Sequence, residues 1–254
     1  MKNNKKIVFH FLLAFCVVLG FAIRIGYFFR FPVQSRDSYI YCELIKEWNS
    51  THIIPTYQEK TIPPLGIFLL REPSYLFDYD VIKGAVLVNM ILGLLIIVIL
   101  MLIAYRITQT FFAPLAVGII ACFHTTLIHY STQFLRDNSY VFFLCLTILM
   151  LIQYIHAPKR MTVFFGGITL TAAVLCRYEA IELLIPWIAV LLICKTPGKK
   201  WTDKIYRIVQ LGIVCLISFV AIIWVINVPF SYFSKGYSAE LNKINISKPD
   251  NLPF

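Results

Sequence analysis

The chain has 254 residues, is 59% hydrophobic and only 14% charged, and carries a net charge of +10 with a mean hydropathy of +0.76. A water-soluble globule needs more polar surface than this, so the composition excludes a soluble domain and predicts an all-α, polytopic membrane bundle. The excess of Lys and Arg is read as membrane topology, not as a nucleic-acid surface, because cationic residues gather in cytoplasmic loops.

A spanning helix needs about 20 apolar residues. Apolar runs near 7–29, 84–104, 111–129, 139–156, 162–176, 180–194 and 208–226 predict about seven transmembrane helices. The first follows the basic stretch MKNNKK, but its length, its Arg24 and its lack of a small-x-small site mark a retained anchor. Arg24 is expected to snorkel to the nearby end of this span. The fifth and sixth runs are short, and read either as two crossings or as a broken, re-entrant pair around CRYEAIE (176–182).

With the N-terminus inside, the inside segments hold Lys2, Lys5, Lys6, Arg106, Lys159, Arg160, Lys195, Lys199, Lys200, Lys204 and Arg207. Of the 13 acidic residues only Asp203 joins them, so every other acid falls outside or at the outer boundary. The expected location is the plasma (inner) membrane, with a cytoplasmic N-terminus and an extracytoplasmic working face. The expected organisation is a first helix (1–29), an outer loop (30–83), a six-span bundle (84–226) and an outer tail (227–254).

Within the first loop, Tyr41, Leu44, Ile45 and Trp48 recur at helical spacing opposite Glu43, Lys46 and Glu47. The pattern predicts an amphipathic helix in the outer interface, with Trp48 and the tyrosines at headgroup level. Pro55, Pro63 and Pro64 interrupt helix beyond it, and Leu65 to Leu70 is too short to span, so it reads as a second interfacial or re-entrant piece.

Three outer segments bring charge to membrane level: Asp37 in the first loop, Arg136 and Asp137 before the fourth span, and Arg177 and Glu179 between the short spans. Ionisable groups at this depth are functional candidates. Helix capping by Ser35 or Asp37, and by Asp137, is the competing explanation for each acid alone. Together, arginines suit a lipid-linked phosphate and a carboxylate suits proton removal from an acceptor hydroxyl. His124 and His129 lie five apart, off the helical metal-pair spacing, and are assigned to interhelical hydrogen bonding.

SRDSYIY just past the first span, IPPLGIFLL ending the loop, YSTQFLRDNSYVFFLCLTILML and GGITLTAAVLCRYEAIELLIPWIAVLL occur in an order that resembles GT-C superfamily glycosyltransferases. The pattern is most similar to the protein O-mannosyltransferase and aminoarabinose-transferase branch, over positions 7 to about 195. The resemblance implies a polyprenyl-phosphate-sugar donor, an extracytoplasmic site and inverting transfer to an unidentified acceptor. Asp37 maps to the loop acid (base or metal-site residue), Asp137 to the later acid, and Arg136 or Arg177, with Glu179 beside them, to the donor phosphate. The first loop lacks the paired Asp-Glu of some branches, so no metal ligand is assigned and a divalent metal is left open. Family members usually run longer, so the chain reads as the shared core or as a truncated frame. The alternative, from a different class, is a non-catalytic subunit, a remnant or a flippase-like lipid transporter.

Overall fold

The computed structural model describes residues 2–31, 35–51, 54, 62–78, 80–194, 201–229 and 232, with backbone alone for 2–6. Most of the expected tail and the basic stretch 195–200 lie outside the described residues. No strand occurs among the described residues. In chain order the helices are α1 (Lys2–Arg30), α2 (Arg36–Thr51), α3 (Pro64–Arg71), α4 (Val81–Thr108), α5 (Phe112–Phe123), α6 (Thr125–Thr132), α7 (Asp137–His156), α8 (Arg160–Cys176), α9 (Leu184–Ile193) and α10 (Trp201–Ile226). Two 3-10 segments, Glu72–Phe77 and Tyr178–Leu183, lead into α4 and α9.

Four of the described helices are long and apolar enough to cross a membrane: α1 from Ile7, α4, α7 and α10. A fifth crossing follows if α5 and α6, bent by 58° at their junction, form one broken span. The seven expected crossings therefore reduce to four or five by length and composition. Helix α8, at 17 residues, is about 26 Å long and falls short of a ~30 Å hydrocarbon core. Helix α9 has ten residues, because the polar Tyr178–Leu183 stretch takes the 3-10 form. The break at His124 has a local cause: its ring Nδ1 accepts from Leu127 N–H at 3.4 Å and caps α6. His124 is thus a helix cap, not the interhelical bond expected of it.

Small residues set the packing. A Cβ on Gly166 of α8 would stand 2.3 Å from the Trp187 ring, and one on Gly167 would stand 2.8 Å from Val214, so both glycines let neighbouring helices close on α8. Asp80 caps α4 by accepting from Lys83 N–H at 3.1 Å, and Gln109 in the left-handed region (φ 55°) ends it.

Helix α2 extends the expected amphipathic segment back to Arg36, but its apolar face does not point to lipid headgroups. Leu44, Ile45 and Trp48 are buried in a core shared with Ile67 and Leu70 of α3, Phe134, Leu175 and Cys176. Trp48 is 3% exposed, and the Arg71 guanidinium stands 4.8 Å from its ring centroid. The two pieces expected at the interface thus pack onto the bundle, because each offers enough apolar surface to bury against the other.

Arg24 is also corrected. It does not snorkel: it is fully buried, donating from Nε to Ser131 Oγ at 3.1 Å and from Nη1 to Gly20 O at 3.2 Å. Near the opposite end of the bundle Arg207 is buried too, hydrogen-bonded to the Tyr154 hydroxyl with its guanidinium over the ring.

Candidate functional site

The segment joining α6 to α7 is held by buried polar side chains. Ser131 gives its proton to Leu127 O, which leaves its oxygen to accept from Arg24. Gly93 of α4 makes room for this contact, since a Cβ there would fall 2.0 Å from Ser131 Oγ. One turn away, Asn89 Nδ2 donates to Gln133 O at 2.8 Å and Leu135 O at 2.9 Å, while Asn138 Nδ2 donates back to Asn89 O at 2.6 Å. Unpaired backbone carbonyls at this depth would be costly, so these bonds fix the path of 133–138 and aim Arg136 and Asp137. The same segment reaches the first loop through Ser35 N–H to Gln133 Oε1 at 2.9 Å.

At the start of α7, Asp137 meets Arg177 at the end of α8, with Nη1 to Oδ1 at 2.8 Å. Arg177 Nε reaches Glu179 Oε1 at 3.3 Å, and its guanidinium stands 5.6 Å from the Tyr140 ring centroid. One arginine therefore gathers two carboxylates and an aromatic face. The pair is half-exposed, so its contribution to stability is at most about 1 kcal/mol. Its value is directional: it holds the guanidinium plane in place.

Arg136 lies on the other side of the same helix start. Its guanidinium is 5.7 Å from the Tyr41 ring centroid, and its Nη1 is buried without a hydrogen-bond partner. Gly66 of α3 permits this seat, because a Cβ there would meet Arg136 Cβ at 3.0 Å. Asp37 is exposed in the first turn of α2 and has no hydrogen bond or ion pair among the described residues. The capping role belongs to Ser35, whose Oγ accepts from Ser38 N–H at 3.3 Å.

Tyr41 joins these groups. Burial pushes its phenol above the ordinary range, against the pull of Arg136, while Asp137 and Asp37 both add to the rise. The phenol is thus within electrostatic reach of an arginine and two acids drawn from two separate segments. Desolvation opposes the charge on Arg177, but Glu179 and Asp137 outweigh it and hold the guanidinium more basic than usual. The Glu179 carboxyl is held below its usual range, first by its own backbone N–H and then by Arg177. Tyr232 closes a further side: its hydroxyl accepts from Ile62 N–H at 2.9 Å and donates to Ile62 O at 3.0 Å, and burial pushes it up to about 12.

The five expected residues are thus divided. Arg136, Asp137, Arg177 and Glu179 stand at the adjoining ends of α7 and α8, whereas Asp37, exposed on α2, makes no direct contact with them among the described residues. The sequence reading missed Tyr41, Asn89, Gln133, Asn138 and Tyr232 as supports. Asn89 was detectable as a lone amide inside the apolar run of α4. Tyr41 was not, because its spacing equally served the amphipathic pattern. No three His, Cys, Asp or Glu side chains come close enough to hold a metal among the described residues. The donor set, with Asp137 and Glu179 committed to Arg177, does not fit a protein-built divalent site.

No curated protein and no solved structure matches the chain. A family model described as dolichyl-phosphate-mannose-protein mannosyltransferase matches residues 61–224, which include α3, α4, both arginines and the Asn89 joint. With apolar helices long enough to cross a membrane and this match over more than half its length, the chain belongs to that GT-C-type family of membrane glycosyltransferases.

Proposed function

We propose that this chain moves a sugar from a polyprenyl-phosphate donor to an acceptor hydroxyl at the extracytoplasmic face of the plasma (inner) membrane, with inversion at the anomeric carbon. The observation that carries this reading is the gathering of Asp137 and Glu179 on Arg177 beside Arg136, whose guanidinium stands over Tyr41 of the first loop, at one end of the bundle. Two arginines supply charge-assisted donors for a phosphate, and Arg136 Nη1 has capacity left for one.

In the reaction, the acceptor oxygen attacks the anomeric carbon and the bond from that carbon to the phosphate oxygen breaks. The acceptor proton passes to Asp37, a carboxylate without an ion-pair partner among the described residues. The departing polyprenyl phosphate gains negative charge, which Arg136 and Arg177 stabilise as it develops. Asp137 and Glu179 hold Arg177 at the correct angle, so in this reading Asp137 orients the arginine and does not serve as the base. The outer loop carries the base, and α2 and α3 bring it to the bundle.

The test is donor cleavage by the purified chain in membranes, measured as release of polyprenyl phosphate from a labelled polyprenyl-phosphate sugar. Asp37→Asn is expected to lose about 100-fold or more, the usual contribution of a positioned base. Arg177→Lys should keep part of the activity and Arg177→Ala very little. Full activity in Asp37→Asn would overturn the assignment of the base. No turnover in the wild type with any donor would overturn the reading itself.

A further inference from the structure

At the end of the bundle remote from these residues, α7 and α8 enclose an open cavity of about 370 Å³. Leu146, Met150, Met161 and Phe165 supply an apolar wall, and Gln153 and Lys159 stand among the residues lining it. Met161 and Phe165 are 61% and 49% exposed, so this apolar surface faces out of the bundle. From Leu146 to Gln153 the cavity follows about 10 Å of helix, roughly two thirds of one ~15 Å leaflet. It is therefore shaped as a groove along the helices, long enough for part of an acyl chain.

Charge decides what fits its mouth. The Lys159 ammonium and the Gln153 amide have no hydrogen-bond or ion-pair partner among the described residues. Arg160 follows, with its guanidinium 5.0 Å from the Tyr206 ring centroid. Arg106 in the last turn of α4, and Lys204 and Arg207 in the first turns of α10, lie toward the same end, against Asp203 as its one acid among the described residues. Basic pockets between helices on the positive side of a membrane protein bind anionic lipid headgroups. An apolar wall with an unpaired ammonium and amide at its mouth has the same polarity as such a lipid.

We propose that the α7–α8 groove binds an anionic glycerophospholipid of the bilayer, with the phosphate on Lys159 and Gln153 and one acyl chain against Met150, Met161 and Phe165. The groove shares no residue with Asp37, Arg136, Asp137 or Arg177, and only the exclusion of the donor as its occupant rests on the proposed function. The occupant is a bilayer lipid and not the polyprenyl-phosphate donor, whose reactive end belongs at the opposite end of the bundle.

The experiment is native mass spectrometry of the full chain in detergent, with phosphatidylglycerol, phosphatidylcholine or polyprenyl phosphate added at equal concentration. The wild type is expected to retain phosphatidylglycerol over phosphatidylcholine by about fivefold, the factor contributed by one lysine at an anionic surface. Lys159→Gln should bring the two lipids to parity, Lys159→Arg should restore the preference, and Lys46→Gln should leave it unchanged. Gln153→Glu, which puts a carboxylate at the mouth, should also abolish it. Equal retention by the wild type, or a preference that survives both Lys159→Gln and Gln153→Glu, would overturn the proposal. So would a Lys159-dependent preference for polyprenyl phosphate over phosphatidylglycerol, which would make the donor the occupant.

Discussion

Arg177 and Asp137, 40 residues apart in the chain, meet at 2.8 Å between Nη1 and Oδ1 and join the end of α8 to the start of α7. The contact explains why α8 stops where it does. Arg177 leaves the helix with φ −158° and ψ 119°, an extended conformation that carries its guanidinium across to α7. The 3-10 segment that follows brings Glu179 to the same guanidinium. A cation at membrane depth is stable only with such partners, so local chain path and electrostatics share one cause.

This pair predicts a separation of stability from activity. Asp137→Asn should cost at most about 1 kcal/mol in unfolding, because the pair is half-exposed. It should nevertheless lower donor cleavage by about tenfold or more, since a misplaced arginine contributes less to the transition state. Thermal unfolding in detergent and the cleavage assay, run on one preparation, check both halves.

Glu179 sets a pH dependence. Its folded pKa is depressed, so its stabilising contribution is fully present above the ordinary glutamate value of about 4.3 and is lost as pH falls through the folded value. Wild type should therefore exceed Glu179→Gln in stability at pH 7 and at pH 5. The two should converge only below about pH 4. With Glu179 well exposed, the difference should be no more than about 0.5 kcal/mol. Melting temperatures across a pH series read this directly.

Arg24 gives an asymmetric pair of substitutions. Its Nη2 has no partner, so the buried charge is only partly compensated. Arg24→Met, which removes the charge and keeps the volume, is expected to be near neutral or stabilising. Ser131→Ala leaves Nε buried without its acceptor and should cost about 1–3 kcal/mol. Equal destabilisation by both would show that the charge itself holds the fold.

Gly93 and Gly66 should respond in proportion to the space available. Gly93→Ala places a methyl against Ser131 Oγ and Arg24 Nε and should cost about 1–3 kcal/mol. Gly66→Ala meets Arg136 Cβ at 3.0 Å, where a shift of a few tenths of an ångström suffices. It should leave the melting temperature nearly unchanged while weakening donor binding, seen as a raised KM.

The tail contact is open to a similar check. Tyr232→Phe removes the hydroxyl that serves both Ile62 N–H and Ile62 O, and each is left buried. A loss of about 1–3 kcal/mol is expected, measured by thermal unfolding, with Tyr39→Phe as an exposed-tyrosine comparison.

The amino-acid sequence by itself determined that the chain is helical and built for a membrane, because an apolar excess of this size has no other solvent. It also singled out Arg136, Asp137, Arg177 and Glu179, since charges beside apolar runs stand out in one dimension. It resolved crossings less well: hydropathy measures only how apolar a run is, whereas the bend at His124 and the stop at Cys176 depend on caps and on the contact between Arg177 and Asp137. Tertiary structure alone decided that Trp48 is buried in protein, that Arg24 turns inward to Ser131, and that Tyr41 lies under the Arg136 guanidinium. In each case the side chain is amphipathic and suits lipid, water or protein equally well by composition. What decided among them was which neighbour the folded chain brought within a few ångströms.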